Sequence, residues 1–133
     1  MPTIAEITGQ QQKTADRFRV EIERKAALKT DASRLYVEME QAASGRAGHI
    51  AAIDSEERTT HDILARQVLE GKPLDVEPLK RLAETRRMLA LELPVYRLAS
   101  QMAKARLDAI SAELDALSQA QIQAYQAAAR TVR

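Results

Sequence analysis

The part of the sequence that most constrains the fold is EGKPLDVEP, residues 70–78. Gly71 suits the left-handed position that closes a helix, and Pro73 prevents that helix from resuming. Asp75 can cap a following helix, and Pro78 then falls in its first turn, where a missing N–H costs nothing. The stretch therefore predicts a tight turn over residues 71–77 between two helices.

On both sides of this turn, apolar residues recur with the 3-4 spacing of a coiled coil. After the turn, fifteen positions follow this spacing and twelve of them are apolar: Leu79, Leu82, Arg86, Leu89, Leu93, Tyr96, Ser100, Ala103, Leu107, Ile110, Leu114, Leu117, Gln121, Ala124 and Ala128. Before the turn, a matching set comprises Phe18, Ile22, Ala32, Tyr36, Met39, Ala43, Ile50, Ile53 and Leu64. We call these two sets the seam, because we expect them to face each other.

This pattern predicts an all-α protein, a long antiparallel helical hairpin that assembles with another copy into a four-helix bundle. Gly45 and Gly48 each weaken a helix by roughly 1 kcal/mol, and Pro94 should kink the second helix without ending it. The alternative is a compact three- or four-helix bundle broken at residues 45–48 and at Pro94. The predicted organisation is a flexible or short helical leader (1–12) and one helical domain (13–133), with a helix over 13–70, weak or broken at 45–48, and a helix over 76–131.

Folding the chain symmetrically about Pro73 predicts which seam residues share a layer. Ile53 then faces Leu93 and Ile50 faces Tyr96, so that these layers are apolar on both sides. Other layers are polar on both sides: Lys25–Gln121, Arg46–Ser100 and Thr60–Arg86.

One of these layers predicts an ion pair, because Glu57 lies one layer from Arg86. We expect Glu57, Thr60 and Arg86 to form a polar seam layer. Such a layer either fixes the register of the two helices or extends its charged ends out of the narrow seam into water.

The second helix has another apolar stripe, two residues out of phase with its seam. We call it the outer stripe; it comprises Met88, Leu91, Val95, Leu98 and Met102, and four alanines continue it from Ala105 to Ala116. A two-helix hairpin can bury only one seam, so the outer stripe needs a partner. We expect a homo-oligomer, most simply a dimer; the alternative is that the first helix folds back at 45–48 and covers the stripe.

A basic region lies towards the open end of the predicted hairpin. It comprises Arg17, Arg19, Arg24, Lys25, Lys29 and Arg34 within residues 13–34, and residues 130–133 fold back beside it. Four acidic residues are interleaved with these cations, which favours a salt-bridged, solvated face. Aromatic residues are only 3% of the chain, too few to stack single-stranded nucleic acid. Weak binding to duplex or structured nucleic acid is therefore the alternative function.

Few residues with catalytic or metal-binding chemistry are present. The chain has no cysteine, and neither His49 nor His61 has the glutamate three residues earlier that a di-iron bundle uses. We expect no cofactor, no metal and no enzymatic activity. No apolar run approaches the ~20 residues needed to cross a bilayer, and the N-terminus lacks the pattern of a signal peptide. We therefore expect a cytoplasmic protein without a membrane partner.

These features favour a non-enzymatic assembly, scaffold or adaptor protein that self-associates and contacts another protein. Net charge is +1, from 20 basic and 19 acidic residues, so no overall field attracts the chain to nucleic acid. The high alanine content and the excess of arginine over lysine suggest a bacterial or phage gene. The alternative is a nucleic-acid-associated accessory protein that uses residues 13–34 and 130–133.

Overall fold

A computed structural model describes residues 4–132, with side chains from residue 9 to residue 130. Helix α1 comprises Ile4–Leu69 and helix α2 comprises Glu77–Val132. The two helices pack against each other as a helical hairpin, and no strand occurs among the described residues. The predicted all-α hairpin is confirmed.

The chemistry of the segment between the helices is as predicted. Gly71 has a φ of 80°, and the N–H of Lys72 donates to the carbonyl of Gln67 at 3.0 Å, which is the bond that closes a Schellman motif. On the other side, Asp75 Oδ1 accepts a hydrogen bond from the N–H of Glu77 at 3.1 Å. That bond satisfies one of the donors that the start of α2 would otherwise leave unpaired.

Helix α1 is continuous through Gly45 and Gly48, and α2 is continuous through Pro94. The compact bundle with a break at 45–48 is therefore wrong, because the flanking residues hold α1 in one helix despite the two glycines. Residues 4–12 also belong to α1, whereas residues 1–3 of the predicted leader lie outside the described residues. The kink at Pro94 stays a prediction.

The chain divides into two compact units. The linker is the segment 70–76 that joins α1 to α2. The terminal unit comprises the described residues up to Tyr36 and from Ala103 onward, and the linker unit, which contains the linker, comprises Val37–Met102. Every seam position on either helix is buried or half-buried. In the linker unit Ile53 is the most deeply buried, with 3% of its surface exposed, while Ala32 and Ala103 are buried in the terminal unit.

The symmetric register is wrong in the linker unit. Arg86 Nε donates to Asp54 Oδ1 at 2.6 Å, whereas the prediction placed Arg86 opposite Thr60, six residues away. The hydroxyl of Ser100 donates to Glu40 Oε1 at 3.3 Å, which is also six residues from the predicted partner of Ser100. Both contacts indicate that α1 is displaced along α2, in the same direction, relative to the predicted register.

The terminal unit has the same shift. Lys25 forms an ion pair with Glu113, whereas the symmetric register placed Lys25 opposite Gln121. Lys104 Nζ lies 5.8 Å from the centre of the Tyr36 ring. In each unit the register therefore differs from the prediction by about one heptad, which corresponds to ~10 Å along a helix at 1.5 Å per residue.

The linker explains this shift. Leu74 and Val76 line one apolar groove together with Leu64, Val68 and Leu79. Leu74 and Val76 of the linker thus lie beside the last turns of α1, and Leu79, in the first turn of α2, lines the same groove. The symmetric register assumed a tight turn. Because the shift is close to seven residues, it leaves the same side chains in the seam.

Candidate functional site

The outer stripe is a contiguous apolar surface on α2 within the linker unit. Its five side chains are between 53% and 65% exposed: Met88, Leu91, Val95, Leu98 and Met102. The seam with α1 therefore leaves the stripe uncovered. Because α1 does not fold back at 45–48, no other described segment of the chain covers it.

The outer stripe and the seam lie on nearly opposite sides of α2. We compare directions around the axis of α2, at 100° per residue. The average direction of the five stripe residues is roughly 160° from the average direction of the seam residues in the same part of the helix. A partner of the stripe would therefore approach α2 from the side that faces away from α1.

Helix α1 has no equivalent surface in the linker unit. Between Val37 and Ile63, which are 46% and 50% exposed, none of its described large apolar residues is exposed. The exposed apolar surface of α1 next appears at Val68 and Leu69, where the helix ends. Among the described residues of the linker unit, a continuous exposed apolar stripe is thus present on α2 and not on α1.

A cluster around Arg46 fixes the segment of α2 that contains the stripe. Arg46 Nε donates to Glu92 Oε2 at 2.8 Å, and its NH1 donates to the carbonyl of Ala42 at 3.1 Å. The guanidinium also lies 3.8 Å from the centre of the Tyr96 ring, a cation–π contact. The sequence prediction missed this cluster because it placed Arg46 opposite Ser100. The opposite charges of Arg46 and Glu92, which lies next to a seam position, could have indicated the pair.

The predicted polar seam layer is brought together only in part. Arg86 bonds Asp54 and not Glu57, because the heptad shift places Asp54 beside it. Hydrogen bonding from Arg86 lowers the pKa of the Asp54 carboxyl, and the same bond raises the pKa of Arg86, with a smaller contribution from the nearby Glu57. The Arg86 and Asp54 side chains are 43% and 45% exposed, so their charged ends reach water. Thr60 is half-buried.

The basic region of the terminal unit is partly neutralised by its own acidic residues. Arg19 and Arg34 pair with Asp16 and Asp31 at 3.5 and 3.1 Å, and Lys25 pairs with Glu113. Arg17, Arg24 and Lys29 have no ion-pair partner within the described part of the chain. Arg130 is exposed, and the side chains of residues 131–133 lie outside the described residues.

The described residues form neither a metal site nor a membrane-spanning helix. Among the described side chains, no group of three or more His, Cys, Asp or Glu residues could hold a metal ion. Neither helix, over its described length, is long and apolar enough to span a bilayer. His49 and His61 are exposed on α1.

No protein-family model, curated protein or solved structure matches this chain.

Proposed function

We propose that this chain is a non-enzymatic assembly protein, a scaffold or adaptor that self-associates and acts through protein–protein contacts. The outer stripe is the observation that supports the proposal. Five large apolar side chains, each more than half exposed, follow one another along α2. Contiguous apolar surfaces larger than a few hundred Å² are rare on monomeric proteins and mark interaction sites.

Sedimentation velocity of the wild type and two double variants tests this proposal. Leu91→Glu/Leu98→Glu places two charges in the outer stripe, where a partner would have to desolvate them. We expect the wild type to sediment as a dimer and this variant as a monomer with an unchanged helical circular dichroism spectrum. Because both side chains are exposed in the single chain, the variant should still fold.

The matched control is Val37→Glu/Ile63→Glu, which changes two exposed apolar residues of the same unit outside the stripe. We expect it to remain dimeric. A wild type that is monomeric at the highest soluble concentration would contradict self-association. Equal dissociation of the control would show that the stripe is not the interface.

A second candidate, a nucleic-acid-associated accessory protein, is supported by Arg17, Arg24 and Lys29, which have no ion-pair partner among the described residues. Gel-shift titration with duplex DNA and structured RNA at several salt concentrations distinguishes the two functions. The accessory protein requires binding that weakens steeply with salt and is lost when the three cations are replaced by glutamine. If the chain is an assembly protein, we expect no binding of DNA or RNA at physiological salt, because the neighbouring acidic residues offset the charge of the remaining cations.

A further inference from the structure

We propose that the second copy packs α2 against α2, on the side of each hairpin that faces away from α1. Through the linker units, the four helices of the dimer then lie in a row, α1–α2–α2–α1, and not in the predicted four-helix bundle. This inference rests on the proposed self-association and specifies its geometry.

The first argument is the direction of the outer stripe. In a four-helix bundle, each helix contacts two neighbours at about a right angle to each other. The outer stripe lies roughly 160° from the seam around α2, at 100° per residue. A helix that packs on the stripe is therefore almost in line with α1 and α2, which produces a row.

The second argument is the composition of α1. In a bundle of two hairpins, α1 would also present an apolar surface to the second copy. The large apolar residues Val37 and Ile63 are exposed on α1 of the linker unit, but they are 26 positions apart and none between them is exposed among the described residues. Within the described linker unit, helix α1 thus offers no continuous surface for the second copy.

The third argument identifies the occupant as another copy of α2. A two-fold interface must be complementary to itself. The outer stripe keeps a 3-4 spacing over two heptads, so that an identical helix can interdigitate with it. Its flanking positions include one cation, Arg87, and one anion, Glu92, and otherwise the uncharged Pro94, Ala99 and Gln101. Two copies can therefore meet without opposing like charges.

The exposed area is also consistent with this occupant. Each stripe offers a few hundred Å² of apolar surface. With the stems of the flanking side chains, two copies approach the ~1,000 Å² that a specific interface requires. A narrow stripe along one helix matches a second helix better than a broad globular surface.

Distances between spin labels in the dimer test the geometry. The chain has no cysteine, so Ser44→Cys and Gln101→Cys each introduce one label site per copy, on an exposed position of α1 and α2 respectively. In a row, three interhelical spacings of 8–10 Å separate the two α1 helices. We expect the Ser44 labels to lie more than about 25 Å apart and the Gln101 labels to lie closer together than the Ser44 labels.

Each outcome bears on a different claim. Long Ser44 distances and shorter Gln101 distances in a dimer that Leu91→Glu/Leu98→Glu dissociates would support the row. Ser44 distances below about 20 Å in a stable dimer would overturn the row and leave self-association standing. Gln101 labels no closer than the Ser44 labels would show that another face is used. A monomer by sedimentation would overturn both the proposed function and this geometry.

Discussion

The charged side chains that pair across the two helices lie at the edge of the seam and reach water. Arg86 and Asp54 are hydrogen-bonded across the two helices, yet both are nearly half exposed, so water screens their attraction. Lys25 and Glu113 have a similar arrangement in the terminal unit. A two-helix seam is narrow enough for charged ends to reach water without leaving their partners. We expect each pair to favour the observed register, because that register brings its two residues together.

The pH dependence of stability tests the Asp54 pair. Because the pKa of Asp54 is lowered in the folded chain by Arg86, the pair stabilises the fold above the pKa of an unfolded aspartate, about 4. This stabilisation is lost as the pH falls through the lower, folded value. Asp54→Asn should therefore be slightly less stable than the wild type at pH 7, and the difference should disappear in strong acid.

Urea midpoints measured from pH 2 to pH 7 would show this convergence. Glu57→Gln is the control, since Glu57, one layer away in the symmetric register, is the ion-pair partner that the sequence predicted for Arg86. It should change the midpoint less than Asp54→Asn does. A larger effect of Glu57→Gln, or a difference that persists at pH 2, would argue against the Asp54–Arg86 pair.

At the scale of the helices, glycine has opposite effects on stability inside α1 and at its end. Gly45 and Gly48 lie inside α1, and a Cβ atom built on either would have no atom within 4 Å. Gly71 has equally open surroundings, but its backbone φ is 80°, a value that L-amino acids with a side chain rarely adopt. At these three positions, the effect of replacing glycine on the free energy of unfolding therefore depends on the backbone conformation, and not on the space available for a Cβ atom.

Alanine substitutions should separate these two cases. Gly45→Ala and Gly48→Ala should each stabilise the protein by about 0.5–1 kcal/mol, because alanine loses less backbone freedom in a helix. Gly71→Ala should destabilise it by about 1 kcal/mol, because the residue must keep a left-handed conformation. Thermal unfolding followed by circular dichroism measures all three. If Gly45→Ala destabilised the protein, another chain would have to contact α1 at this position, because no atom of the chain itself lies within 4 Å of the added Cβ.

At the scale of the whole molecule, local periodicity predicted which residues are buried but not which residues meet. The 3-4 spacing identified the seam and left the outer stripe uncovered, since both follow from the position of each residue around its own helix. The register depends on how the linker packs. A shift of one heptad preserves every seam position, so apolar periodicity alone cannot detect it. The acidic partners Glu40, Asp54 and Glu113 contained the missing information, since only the shifted register brings them to Ser100, Arg86 and Lys25.

Disulfide formation provides a direct test of this register. Ile50 lies midway between Arg46 and Asp54 along α1, and Leu89 lies midway between their α2 partners, Glu92 and Arg86. We therefore expect Ile50→Cys/Leu89→Cys to form a disulfide within one chain under mild oxidation, detected by mass spectrometry at low protein concentration.

The matched control is Ile50→Cys/Tyr96→Cys, the pair that the symmetric fold predicts. In the observed register these two positions are seven residues out of step, ~10 Å along the axis at 1.5 Å per residue. A disulfide requires Cα atoms about 4.4–6.8 Å apart, so the control should stay reduced. Because both variants replace large seam residues by cysteine in the same unit, loss of packing cannot account for a difference between them. Rapid oxidation of the control with a reduced Ile50→Cys/Leu89→Cys would restore the symmetric register and remove the linker's contact with Leu64.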